Sequence, residues 1–132
     1  DPASALGHAL DLLAPEGMIL ATVPAFPVLW TSHDDANHHF RRYTRSSFHE
    51  LADAVGMKIL RQGYFFHWLF GPKLMIHFLQ RFSGGNKTPR NPGLPPAWAN
   101  RLLEGFSVME NAALAPLRIP FGSSLLVAGT KG

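Results

Sequence analysis

Met18-Ile19-Leu20-Ala21-Thr22-Val23, stopped by Pro24, is a short and nearly continuous apolar run entered through the turn residues Pro15-Glu16-Gly17. It is too short for a helix of ordinary length, and it reads as a strand covered on both faces, the pattern of a central parallel strand packed between helices. Upstream, Asp1 stands as an N-cap before Pro2, and Leu6, Leu10 and Leu13 follow as an apolar stripe, which predicts a helix to about Ala14. Downstream, Pro24 to Thr44 holds prolines, histidines, aspartates and arginines with neither the strand nor the helix period. Long irregular segments inside a domain usually carry function, so this loop is the first place to look for a site.

Further out, Thr44 or Ser46 caps a helix supported by a Ser47-x-x-Glu50 box, with Phe48, Leu51, Ala52 and Val55 facing inward and Gly56 ending it. Met57 to Phe66 reads as a second strand. Leu69, Pro72, Met75, Ile76, Leu79 and Phe82 recur at helical spacing, and after a Gly- and Pro-rich connector from Ser83 to Pro96 so do Trp98, Leu102, Phe106, Met109, Ala113 and Leu117. The turn Pro120-Phe121-Gly122 leads into a last strand from Ser123 to Thr130. Helix, strand, loop, helix, strand, two helices, strand is an α/β layered order in a single domain spanning 1–132, with 67–117 as a helical insertion.

Composition narrows the function. With 46% hydrophobic and 16% charged residues the chain is too apolar to be disordered. It has no cysteine, which excludes a disulfide framework and a thiolate metal site, and its start does not resemble a signal peptide, so a cytoplasmic location is expected. Between Ala36 and Leu103 stand ten Lys or Arg residues against only Glu50 and Asp53. Such a zone is either a solvated face or an attractor of phosphates, acidic substrates or an anionic membrane. No recognisable nucleic-acid module accompanies it, and no nucleic-acid partner is expected. The segment 65–82 joins aromatic and aliphatic bulk to Lys73, His77 and Arg81; it is too short and too charged to span a bilayer but suits peripheral membrane or lipid contact.

The series Thr22-Val23-Pro24-Ala25-Phe26-Pro27, Trp30, His33-Asp34, His39 and Arg41-Arg42-Tyr43-Thr44 resembles a group of bacterial class I S-adenosylmethionine-dependent methyltransferases acting on small molecules. The resemblance continues through the turn at 13–17, Leu51, Gly56, the Phe-rich stretch from Phe65 to Pro72, Glu110, Pro120-Phe121-Gly122 and Ser124; Asn37, His38 and Ser123 depart from it. It implies a Rossmann-like sheet of which this chain is the C-terminal part: strands five to seven, the last antiparallel between the other two, with two inserted helices. The glycine-rich turn that holds S-adenosylmethionine in that family is not among these residues. The chain alone is therefore expected to be inactive and not to bind the cofactor. The strand at 18–23 would be left with an exposed edge, where a second copy of the chain is an expected partner.

What the resemblance implies for the loop is an acceptor site for a small molecule or a lipid. A hydroxyl or amine acceptor must lose a proton, and His33 or His39 is placed to take it, His33 being favoured because Asp34 is its neighbour and could orient it. Arg41 and Arg42 either clamp a carboxylate or phosphate of the substrate, or one of them pairs with Asp34 or Asp35 and holds the loop. Trp30 and Tyr43 either line the acceptor pocket or anchor the loop. His33, Asp34, His38 and His39 match no standard ligand spacing, and no metal is expected. Glu110 is either a buried partner for an arginine or an exposed face residue.

Overall fold

In the computed structural model, which describes residues 1–31, 34, 35, 37, 39–82, 96–114 and 117–132, the apolar run at 18–24 forms one edge of a three-stranded sheet. The strands β1 (Met18–Pro24), β2 (Met57–Phe65) and β3 (Ser124–Lys131) lie in the order β1-β3-β2. β3 is antiparallel to both neighbours, with Ala21 opposite Val127 and Tyr64 opposite Leu125. The last strand thus takes the expected central, reversed position. β1 and β2 consequently run in the same direction, and their C-terminal ends share one rim with the start of β3.

The helices are α1 (Pro2–Asp11), α2 (Arg45–Ala54), α3 (His67–Phe82) and α4 (Ala97–Leu114), the last two lying between β2 and β3 in the chain. The Asp1 side chain caps α1 by accepting from the Ala3 amide at 3.1 Å, and Pro2 fills the position where a missing N–H costs nothing. The helix stops before Ala14 because Pro15 disfavours helical backbone in the residue preceding it and Glu16 turns with φ 62°. At α2 the cap is Thr44: its hydroxyl accepts from the Ser47 amide at 3.2 Å while the Ser47 hydroxyl accepts from the Thr44 amide at 2.9 Å. The box is therefore Thr44–Ser47, one turn ahead of the expected Ser47–Glu50 pair, since a serine at the third helical position is already within reach of the cap.

α1 and α2 pack on the same face of the sheet. Leu10, Phe48, Ala52, Met57, Leu125 and Val127 form the buried centre with Ala25 and Tyr43, and Ile19, Ala21 and Val23 of β1 close over it. Burying each large aliphatic side chain there stabilises the fold by about 1.5–3 kcal/mol. The reading of β1 as covered on both faces is corrected: Met18 and Leu20 are 62% and 66% exposed. Both flanking helices lie on one side, so every second side chain of β1 points away from them. On that other side Leu20, Thr22, Leu60, Leu126 and Ala128 floor a groove of about 1190 Å³ walled by Leu117, Arg118 and Ile119.

Gly122 sits at the shared rim, where a Cβ atom would come within 2.6 Å of the Phe65 carbonyl oxygen and 3.0 Å of its amide nitrogen. Backbone cannot step aside as a flexible side chain can. Gly122→Ala is expected to cost about 1–3 kcal/mol, read as a lower urea midpoint at unchanged slope; a midpoint equal to the wild type would show that the approach is not close.

Candidate functional site

Two aromatic residues leave the rim with left-handed backbone, Phe26 (φ 56°) just past β1 and Phe66 (φ 55°) just past β2. Such a conformation costs a bulky residue about 1–3 kcal/mol and persists only where packing over-determines it. The Phe26 ring supplies that packing, lying 4.8 Å from the Tyr64 ring and 5.5 Å, edge-on, from Phe70. The segment it starts returns to the same strand end. The Phe26 amide donates to the Tyr43 carbonyl at 2.9 Å and the Tyr43 amide to the Pro24 carbonyl at 2.8 Å, a parallel bridge that ties the base of the loop to the end of β1. The expected location at the C-terminal rim of the sheet, where α/β folds place ligands, is thus observed.

Asp34 is the centre of the loop and is fully buried. Its Oδ2 accepts from the amide and hydroxyl of Thr31 at 3.0 and 3.3 Å. The Nη2 of Arg42 straddles the carboxylate, 2.8 Å from Oδ1 and 2.9 Å from Oδ2, while Nη1 donates to the Ala25 carbonyl at 2.8 Å. Burial alone would raise the Asp34 pKa. The hydrogen bonds from Arg42, His39 and the Thr31 backbone outweigh it and hold the carboxyl below the usual aspartate value.

An ionised carboxylate can only accept hydrogen bonds, which fixes the tautomer of its third partner. His39 Nδ1 lies 3.0 Å from Asp34 Oδ1, so Nδ1 carries the donated hydrogen and Nε2 is the nitrogen turned away from Asp34. The His39 side chain is 39% exposed against 1% for Asp34. A buried acid thus holds a solvent-reaching imidazole with its basic nitrogen available for proton transfer. His33 and His38 lie outside the described residues. Among the described residues the histidine that Asp34 orients is His39, five positions on.

The remaining loop residues divide by role. Arg42 takes the structural alternative and holds the loop through Asp34. Arg41 is exposed, its guanidinium 5.2 Å from the Tyr43 ring centroid. Tyr43 is buried in the core against Phe48, 5.8 Å between ring centroids, and acts as an anchor, not as a pocket wall. Trp30 donates through Nε1 to Asp35 at 3.0 Å, and its carbonyl accepts from His77 Nδ1 of α3, also at 3.0 Å. Glu110 is buried, and its partner is not an arginine: Oε1 accepts from the Trp68 amide at 2.8 Å, satisfying a first-turn donor of α3.

Lys73 of α3, which the sequence marks only as a cation of the segment 65–82, is a further residue near the loop. It is partly buried and close enough to Arg42 and Asp34 for both charges to act on it. Burial pushes its ammonium below the usual lysine range, the Arg42 charge adds to this, and Asp34 opposes it. Its signal in the sequence was the spacing of Lys73 and His77, one turn apart on an otherwise apolar helix, which is how a helix aims two polar groups at one neighbour. Among the described residues no group of three metal-ligating side chains comes together.

S-adenosylmethionine does not fit the residues of this chain by themselves. β1 runs into Pro24-Ala25-Phe26 and not into a glycine-rich turn. In the first turn of α2 the Arg45 amide donates to the Tyr64 hydroxyl at 3.0 Å and the Ser47 amide to the Thr44 hydroxyl. Comparison with protein-family models, curated proteins and solved structures returned no match for this chain.

Proposed function

We propose that this chain forms the acceptor side of an S-adenosylmethionine-dependent methyltransferase, acting on a small-molecule or lipid acceptor, with the cofactor held by a segment outside these 132 residues. The observation that carries the reading is the Asp34–His39 pair at the rim where β1 and β2 end, in a sheet whose last strand is central and reversed. A hydroxyl or amine gains a methyl group efficiently only if its proton has somewhere to go, and His39 Nε2 is a base held in one tautomer for that purpose. Arg41, exposed beside it in sequence, supplies a cation for an acidic group on the acceptor. Arg42 and Asp34 keep the loop in the shape that aligns these groups, which is where much of the acceleration of a displacement reaction originates.

The test is a calorimetric titration of S-adenosylmethionine into this chain, followed by transfer of labelled methyl groups to a cell lipid and metabolite extract after a cofactor-binding segment is supplied. No saturable uptake is expected in the first experiment, and labelled product is expected in the second. Saturable micromolar binding to the chain alone would contradict the division of labour, and absence of labelled product with the segment present would sink the methyltransferase reading.

A further inference from the structure

α3 is inside-out. With about 100° between successive residues of a helix, Lys73 and His77 fall on one side, where His77 is hydrogen-bonded to the loop at the Trp30 carbonyl and Lys73 is partly buried one turn before it. Met75, Phe78, Leu79 and Phe82 fall on the opposite side, and all four are exposed, Phe82 to 82%. None of the sixteen residues of α3 is buried. α4 repeats the arrangement: Trp98, Leu102, Phe106 and Met109 lie in one stripe, all exposed, with Trp98 at 68%. The Trp68 ring of α3 stands edge-on to Phe106 of α4 at 5.6 Å, so the two helices are neighbours. A helix of a globular protein turns its apolar stripe inward, and large exposed apolar stripes mark contact surfaces.

The charges next to these stripes select the partner. α3 carries the exposed Arg81 beside Phe82 and no acidic residue, Lys73 being turned to the loop side, and α4 presents Arg101 before its first acid, Glu104, with Glu110 buried and bound to the Trp68 amide. Aromatic and aliphatic bulk rimmed by cations is the composition of a surface that enters the headgroup region of an anionic bilayer. No described helix is long and apolar enough to cross a membrane. We infer that α3 and α4 dock this chain onto the surface of an anionic membrane, with Phe78, Phe82, Trp98 and Phe106 as the inserted side chains. This inference stands independently of methyl transfer; if both hold, the acceptor is one that a membrane surface carries.

Vesicle flotation of the full chain tests it, with phosphatidylcholine vesicles and with vesicles containing phosphatidylglycerol as well. Flotation with the anionic vesicles is expected to exceed that with neutral ones by about tenfold or more. Leu79→Gln with Phe82→Gln, and separately Trp98→Ser with Leu102→Gln, should each lower anionic binding by about tenfold, while circular dichroism shows an unchanged fold. Binding to S-adenosylmethionine plays no part in this readout, so its failure is distinguishable from failure of the methyltransferase reading. The proposal is overturned if the chain stays in solution with both vesicle types, or if binding survives both pairs of substitutions. It is equally overturned if those substitutions convert a self-associated chain to monomers while no vesicle binding occurs, since the stripes would then be an interface between copies.

Discussion

Arg42→Met is expected to destabilise the fold by about 3–5 kcal/mol, because it strips a fully buried carboxylate of the guanidinium that straddles it. Asp34 would keep the Thr31 and His39 hydrogen bonds but lose Nη2 at 2.8 and 2.9 Å, and the Ala25 carbonyl at the base of the loop would lose Nη1. A loss of that size is a large fraction of the 5–15 kcal/mol typical of a small domain, so the urea midpoint should fall steeply. The double variant Asp34→Leu/Arg42→Met removes both charges together and should recover much of the loss. A single variant within about 1 kcal/mol of the wild type would mean that the pair behaves as an exposed surface bridge. The pH dependence follows with a definite sign. The Asp34 carboxyl is held below its ordinary value in the folded chain, so its contribution is fully present above about pH 4 and is lost as the pH falls through the lowered value. Asp34→Asn should therefore flatten the acid side of the stability curve, and an identical acid limb in the variant would contradict the assignment.

The sequence reading succeeded where one local pattern admits one structure. An apolar run between turn signals made β1 a strand, Gly56 ended α2, and the order of elements required an α/β layer. It failed where the answer lay across the chain. Whether Met18 and Leu20 are covered depends on which side α1 and α2 choose, and a run broken only by Thr22 offers too little alternation to reveal it. The same limit hid the geometry of the loop. Asp34 has acceptable partners at His33, His39, Arg41 and Arg42, and proximity in sequence favours the first. The parallel Ala25–Tyr43 bridge brings the chain back to the end of β1 and places Arg42 and His39 on Asp34. The sequence left Tyr43 as either a pocket residue or an anchor of the loop, and the bridge that aligns Arg42 turns the neighbouring ring into the core.

His39→Gln is the change with the largest expected effect on activity. Glutamine can still donate a hydrogen bond toward Asp34, so the loop should keep its fold and the acceptor its binding, but an amide has no basic nitrogen to receive a proton. Loss of a positioned general base typically costs about 10²–10⁴-fold in rate. The turnover of the methyltransferase assembled with its cofactor-binding segment should fall by that factor with KM little changed. A merely structural His39 would lower stability and raise KM without altering how the rate depends on pH. Rate dependence on pH is therefore the deciding measurement: the limb that reports the general base in the wild type should vanish in His39→Gln. If the limb persists, His39 is not the base, and Lys73, whose ammonium is already destabilised by burial beside Arg42, becomes the group whose removal should abolish it.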